Sequence, residues 1–321
     1  MSDVNVQDIS LTNQEFLSAI EQAPDGQLKN ASASSTQVLR RRVREAGFAR
    51  SILPFKPAGA AVQRLPDNDM PVIIEDMEPD SPGAKAVPFM GSPDTVFYHG
   101  DTFLVMFHKI VSPEFKKNIH QLQTYKHDLK AMVTDNALRD IHTTEDQALI
   151  SQVDDLVGLD ATGNGASGEP QNFGTEDAIA RSTYPLHMSY LEDRELMNGV
   201  FLMNRKTAKA FLTWDRSEIG GDLAQAIFED GASAISKGKI LGVPHIYTSK
   251  KALVPNNVEY QFAEPDYLGR AYVLQDLVLY IEKRKDIITF SAMEKIGITL
   301  GNVAAVNKVT FNVPHDDTWN T

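Results

Sequence analysis

The sequence predicts an α+β protein, and three observations carry that expectation. One helical pattern runs unbroken from Ser112 to Ile141, a proline-rich stretch over 51–100 precedes it, and short β-runs fill Val258 to Phe311.

The helical pattern is the stretch around which the rest is organised. Ser112 is a favourable N-cap, and Pro113 stands at the first helical position, where its missing N–H costs nothing. Phe115, Ile119, Leu122, Leu129, Val133 and Ala137 then recur at spacings of three, four and their multiples, which places them on one stripe. Tyr125 and Met132 widen the stripe, while Lys117, Thr124, His127 and Asp135 fall opposite. At 1.5 Å per residue such a helix is roughly 43 Å long, beyond the usual span of a globular helix. Lys126 falls inside the stripe, where its stem packs and its head reaches out.

The bulk numbers set outer bounds. A chain of 321 residues with 42% hydrophobic and 23% charged residues has material for one large or two ordinary domains and a sizeable core. No apolar run reaches the roughly 18 residues of a membrane span, and the polar start MSDVNVQD is not a signal peptide. The absence of cysteine excludes disulfides, thiol catalysis and Cys-ligated zinc. A net charge of −12 argues against a general nucleic-acid binder but not against a protein that merely encloses DNA.

Taken in order, residues 1–36 are polar and thinly patterned. Thr12-x-x-Glu15 reads as a capping box opening a short helix that Pro24-Asp25-Gly26 ends, and 31–36 as linker. A basic segment follows, with Arg40, Arg41, Arg42, Arg44 and Arg50 opposed only by Glu45. It reads as an arm pairing with carboxylates of a neighbouring subunit, as a DNA-contacting arm, or as a solvated basic face. Prolines at 54, 57, 66, 71, 79, 82, 88 and 93 confine any strands of 51–100, such as Val72–Ile74 and one beginning at Val96, to edges or a projecting ribbon. Phe103–Phe107 reads as a buried strand leading into the long helix. After it, Thr144-x-x-Gln147 is a second capping box, and Leu149, Val153 and Leu156 mark a shorter helix stopping at Gly158. Between Arg139 and Arg181 there is no Lys or Arg, against nine Asp and Glu. A helix is expected around Ser182–Leu196, a strand at Val200–Met203, and a helix capped by Asn204 and running to Trp214. Leu241–Tyr247 is an edge strand because of Pro244. Further strands are expected at Val258–Phe262, Ala271–Leu274, Val278–Ile281, Ile287–Ala292, Ile296–Leu300 and Val309–Phe311.

No stretch makes an active site. Gly163-Asn-Gly165-Ala-Ser-Gly168 matches G-x-G-x-x-G in letters, but a polar helix precedes it and no helical pattern follows, so a dinucleotide site is not expected. Glu169 in place of Lys rules out a phosphate-binding P-loop, and a calcium loop through Asp160, Thr162, Asn164 and Gly165 would need its closing carboxylate at Gln171. His120 and His127 lie seven apart on a polar face, without an H-E-x-x-H pair. No nucleophile elbow or triad can be nominated. Catalytic, cofactor and metal sites are therefore expected to be none.

The order of the pieces is informative in itself. A polar arm, a proline-rich projecting loop, a long spine helix, an α/β region and a final return of β-strands resemble the major capsid protein of tailed bacteriophages, whose fold is shared by encapsulins and herpesvirus capsid floors. Gly199–Thr207 resembles the family's strand-to-helix segment, Gly238–Thr248 its Leu-Gly-x-Pro strand, and Ile288–Gly301 its closing β-segment. The resemblance implies a phage major-capsid fold with an N-terminal arm over 1–56 and an extended β-hairpin loop over 57–100. It implies a peripheral domain over 101–142 and about 275–321, with the spine helix, and an axial α/β domain over 143–274. It implies hexamers and pentamers of an icosahedral shell around double-stranded DNA, a virion location after assembly in the host cytoplasm, and scaffolding, portal and cement proteins as partners, with no membrane. An encapsulin-like cargo shell, a tail or connector component, and a nucleotide-dependent enzyme are the alternatives. The arm is too short for the scaffolding segment some relatives carry. Lys56 and Lys85 lie at the loop, but no Asn or acid for a covalent cross-link can be nominated. On this reading the apolar residues Ile52, Leu53, Phe55, Val72, Ile73 and Phe89 find burial only on neighbouring copies, and Arg40, Arg41, Arg42, Arg44 and Arg50 clamp an adjacent subunit. Phe55, Ile73, Phe89 and these arginines are the expected inter-subunit contacts.

Overall fold

Strand pairing decides this architecture more than helix propensity does. The computed structural model describes residues 47–65, 69–76, 86–92, 95, 100, 102–118, 129–158, 171–176, 179, 184–213, 239–240, 242–284 and 286–311. In chain order the elements are α1 (Phe48–Ile52), β1 (Phe55–Pro57), β2 (Gln63–Arg64), β3 (Pro71–Asp76), β4 (Thr102–Met106), β5 (His108–Val111), β6 (Phe115–Asn118), α2 (Leu129–Val157) and β7 (Asn172–Glu176). There follow α3 (Tyr184–Met188), β8 (Asn198–Asn204), α4 (Arg205–Ala208), β9 (Lys239–Ile240), β10 (Val243–Thr248), β11 (Val258–Ala263), α5 (Pro265–Leu268), β12 (Arg270–Arg284), β13 (Ile287–Thr299) and β14 (Val306–Phe311).

Three sheets are built from these strands. β12 and β13 form a long antiparallel hairpin; β1 runs parallel to the start of β12, and β5 and β6 both pair with β13. The second sheet has the order β7-β14-β11-β8-β10-β9, and the third is the ribbon β2-β3-β4. The expected strands at 271–274 and 278–281 are one strand, β12, whose ladder shifts register between Val273 and Val278. Those at 287–292 and 296–300 are likewise one strand, β13. β14 joins the six-stranded sheet rather than the hairpin sheet. β10 lies next to the edge, covered at Val243 and Pro244 by the two-residue β9.

The spine helix exists, but its register along the chain differs from the sequence expectation. Residues Phe115–Asn118 form β6, antiparallel to Ile287–Phe290. Ser112 does not cap a helix: its backbone N–H donates to the Ala292 carbonyl at 2.8 Å, and its Oγ accepts from the Ala292 N–H at 2.9 Å. Long-range pairing has overridden the local pattern there, and Pro113 sits between two strands, where no ladder bond is required. The helix instead covers Leu129–Val157, about 43 Å at 1.5 Å per residue. The two helices expected on either side of Thr144 are therefore one. Thr143 and Thr144 donate their hydroxyls to the carbonyls of Arg139 and Asp140, four residues back, instead of capping. Ala137, Ile141, Leu149, Val153 and Val157 are buried on a column of spacing four that packs toward β13 and β14. Gly158, with φ +82°, ends the helix as expected.

Asn204 caps α4 as expected, its side chain accepting from the Lys206 N–H at 3.0 Å, and a 3₁₀ turn continues to Thr213. The helix expected over Ser182–Leu196 is short, giving way after Met188 to turns and to left-handed Glu195 at φ +60°. Phe103–Phe107 is a strand, but only half covered: Val105 and Phe107 face inward, while Leu104 and Met106 are exposed. Gly297 lets this strand approach, since a Cβ there would meet the Met106 carbonyl oxygen at 2.9 Å.

Candidate assembly surface

Two features of this fold are candidates for such a surface: a ribbon whose outer face exposes apolar side chains, and a charged clamp that fixes α1. In the ribbon, β3 and β4 pair with Ile73 opposite Val105 and Ile74 opposite Leu104. Strand alternation sends the first pair to one face and the second to the other. The inner pair packs with Ala58 and Phe107 against Phe103, Tyr272 and Leu274. Tyr272 donates its hydroxyl to Glu75, tying the ribbon to β12. The outer face exposes Ile74, Leu104 and Met106. In the chain between β3 and β4, Phe89 and Met90 form a turn closed by a 2.7 Å hydrogen bond from the Gly91 N–H to the Pro88 carbonyl. Both side chains are fully exposed, at 111% and 101% of their reference surface.

The clamp is built on α1. Arg50 donates from Nη2 to Glu145 Oε1 and to Glu294 Oε1, both at 2.6 Å, and from Nε to Glu145 Oε2 at 3.1 Å. Its side chain is 7% exposed, and both carboxylates are fully buried. The guanidinium lies 4.8 Å from the Phe55 ring centroid. Burial acts to lower the Arg50 pKa, but the hydrogen bonds and charges of Glu145 and Glu294 outweigh it and raise it. Burial, then the charge of Glu145, raises the Glu294 carboxyl against the pull of Arg50. One residue on, Asp146 accepts from the Ala49 N–H at 2.9 Å and pairs with Lys250 Nζ at 2.5 Å. The Ala49 amide is one of the orphan donors of α1's first turn, and a carboxylate from α2 satisfies it. Burial raises the Asp146 pKa despite Lys250 and Ala49.

These placements correct several expectations. Arg50 does not await a neighbour; its two partners come from its own chain. Ile52, Leu53, Val72 and Ile73 are each no more than 2% exposed and need no second copy for burial. Phe55 is half-buried under Arg50. Phe89 is exposed in full. Arg40, Arg41, Arg42, Arg44 and the short helix at Thr12 lie outside the described residues, as do Lys85, His120, His127 and the 163–168 loop. That loop follows helix α2 and precedes strand β7, the reverse of the strand–loop–helix order a dinucleotide fingerprint requires. Among the described residues no group of three or more His, Cys, Asp or Glu is placed to hold a metal ion, and no helix is long and apolar enough to cross a membrane.

Sequence reasoning missed Glu145, Glu294, Met90 and the outer ribbon face. A signal for Glu294 was present. Ile288, Phe290, Ala292, Ile296 and Ile298 alternate inward along β13, and Glu294 occupies the same register. A carboxylate at an inward position requires a buried partner. Glu145 likewise falls in the spacing-four column of α2 between Ile141 and Leu149.

No protein-family model and no curated protein sequence matches the chain. Solved structures do. The bacteriophage PhiM1 mature capsid superposes with a TM-score of 0.54 at 8% identity, covering 84% of this chain and 88% of its own. The capsid of an empty GTA particle gives 0.53 at 13% identity, covering 82% and 89%. A virus-like particle from Pyrococcus furiosus gives 0.52 at 14% identity, covering 86% and 98%. The chain has the capsid-shell fold. That fold spans most of the sequence, and the likeness is of backbone path, since identity this low leaves few side chains in common. Within the capsid-shell fold of this chain, the clamp holds α1 against the long helix, and the chain between β3 and β4 exposes Phe89 and Met90 in full.

Proposed function

We propose that this chain is the major subunit of a closed icosahedral shell, assembling into hexamers and pentamers that enclose double-stranded DNA without sequence-specific binding. The observation that carries this reading is the capsid-shell fold over more than four-fifths of the chain. The exposed Phe89–Met90 turn supports it, because burial of apolar area at roughly 25 cal/mol per Å² rewards contact with another copy. Many weak contacts around a closed surface then sum by multivalency. In this reading 1–56 form the arm and 57–100 the extended loop. The peripheral domain takes 101–142 and about 275–321, and the axial domain 143–274. The arm arginines Arg40, Arg41, Arg42 and Arg44 contact a neighbouring subunit, while scaffolding, portal and cement proteins complete the particle. Its location is the virion, and it performs no catalysis. Negative-stain electron microscopy of the purified chain tests the proposal: closed particles of uniform size support it, and open rings or tubes favour a connector instead. A second reading, a cargo-enclosing shell like an encapsulin, draws on the virus-like particle among the structural relatives. Nucleic acid in the lumen supports the first reading, and a packaged protein supports the second.

A further inference from the structure

The six-stranded sheet encloses a hydrogen-bond chain that the assembly reading does not use. His245 Nδ1 lies 2.9 Å from the Val243 carbonyl oxygen, which only accepts, so Nδ1 carries a hydrogen. On the other side of the ring, Nε2 lies 2.6 Å from Tyr184 Oη, and that oxygen lies 3.0 Å from Glu259 Oε2. Tyr184 has one proton to give. If it goes to Nε2, Oε2 must itself carry a proton to bond Tyr184; if it goes to Oε2, Nε2 must be protonated. Both arrangements hold one proton more than a neutral imidazole facing a carboxylate. Gln261 Nε2 donates to Glu259 Oε1 at 2.9 Å, which leaves Oε2 as the hydroxyl oxygen of a neutral acid. Glu259, Tyr184 and His245 are 0%, 1% and 4% exposed, so separated charges are unfavourable and the proton resides on Glu259.

Among the described residues, the groups around Glu259 supply no compensating cation. Tyr184 and His187 face the cluster from α3, His245 and Tyr247 from β10, and Gln261 from β11 itself; β8 and β14 place Met203 and Val309 beside Glu259. Among the described residues no Lys or Arg pairs with it. Burial pushes Glu259 up to about 7 and His245 down to about 4, in the sense the hydrogen accounting requires.

We propose that Glu259, Tyr184 and His245 form a buried proton-binding site that latches α3 onto the six-stranded sheet and loosens it when the proton leaves. The balance is simple. Glu259 Oε2–H gives its proton to base in solvent, and the resulting carboxylate takes the Tyr184 O–H. The lone pairs of Nε2 and Oη then face each other at 2.6 Å, and the Tyr184–His245 contact opens. Because the folded pKa is raised, stability declines as pH climbs from the ordinary carboxylate range to about 7.

Hydrogen exchange on the full chain, read at 184–188 and 243–248 and corrected for intrinsic rates, tests this alongside infrared difference spectroscopy. Between pH 6 and pH 8.5, wild-type protection should fall about tenfold, the ratio that a carboxyl with a folded pKa of about 7 supplies over that interval. Glu259→Gln keeps a donor toward Tyr184 and an acceptor toward Gln261 but cannot titrate, so its protection should be flat. At pH 6 the wild-type-minus-variant spectrum should contain a carboxylic-acid carbonyl band. Equal pH dependence in both proteins, or no such band, overturns the proposal. Should Glu259→Gln not fold, Tyr184→Phe provides the comparison: the carbonyl band should shift on losing its hydroxyl partner, and an unshifted or missing band is again fatal.

Discussion

Replacing Arg50 with Met keeps most of the side-chain volume and removes the guanidinium that bridges Glu145 and Glu294. Both carboxylates are fully buried, each accepts from Arg50 Nη2 at 2.6 Å, and Glu294 Oε2 has no hydrogen-bond partner. Removing one member of such a group costs about 3–5 kcal/mol, because the charge left behind has neither water nor partner. Against a total stability of about 5–15 kcal/mol that is a large fraction. The loss has a definite pH dependence. Glu294 already has a raised pKa in the folded chain, so its contribution is largest below its unfolded value and declines as pH rises. Without Arg50, Glu294 loses the attraction that opposed this rise, so the Arg50→Met defect should be larger at pH 8 than at pH 5. Urea denaturation of dissociated subunits at the two pH values measures both effects. The triple variant Arg50→Met, Glu145→Leu, Glu294→Leu should recover most of the lost stability, since an apolar replacement leaves no buried charge. An Arg50→Met protein within about 0.5 kcal/mol of wild type at pH 8, the range of an ordinary surface change, would refute the clamp.

Three further outcomes are expected. Reversing charge at Arg41 and Arg42 together should suppress particle formation in sedimentation while leaving the circular dichroism of the subunit unchanged; normal particles from that variant contradict the role of the arm. Phe89→Asp with Met90→Asp should leave subunit stability within about 0.5 kcal/mol of wild type, because neither side chain has burial to lose, and yet should abolish particles. Ile73→Ala and Ile74→Ala should separate the two ribbon faces. The first should cost about 2–5 kcal/mol in denaturation as a core cavity, and the second should be near neutral in the subunit but weaken assembly.

Much of this fold was legible in the sequence, and the failures share a cause. The strands from Val258 onward, the Asn204 cap and the Gly158 stop rest on short-range chemistry that tertiary structure leaves intact. The misplaced start of the spine helix shows the limit: Phe115 and Lys117 suit a helix locally, but residues 115–118 pair with a strand more than 160 positions away. Nothing local encodes that partner. Arg50 fails for the same reason. Sequence proximity groups it with Arg40–Arg44, whereas it lies within α1, and its counter-charges stand 95 and 244 residues further on. The likeness to the capsid-shell fold stands despite both errors, because a fold resemblance read from element order tolerates a shift of boundaries.

If the chain is a shell subunit, the exposed Phe89–Met90 turn finds burial only on a second copy of this chain. A reconstruction of particles by electron cryomicroscopy measures it directly. Phe89 and Met90 should lie in density against a neighbouring subunit, with the Arg50 clamp still closed within its own. Particles in which both side chains face solvent, or a chain that sediments as a monomer under every assembly condition, would contradict it.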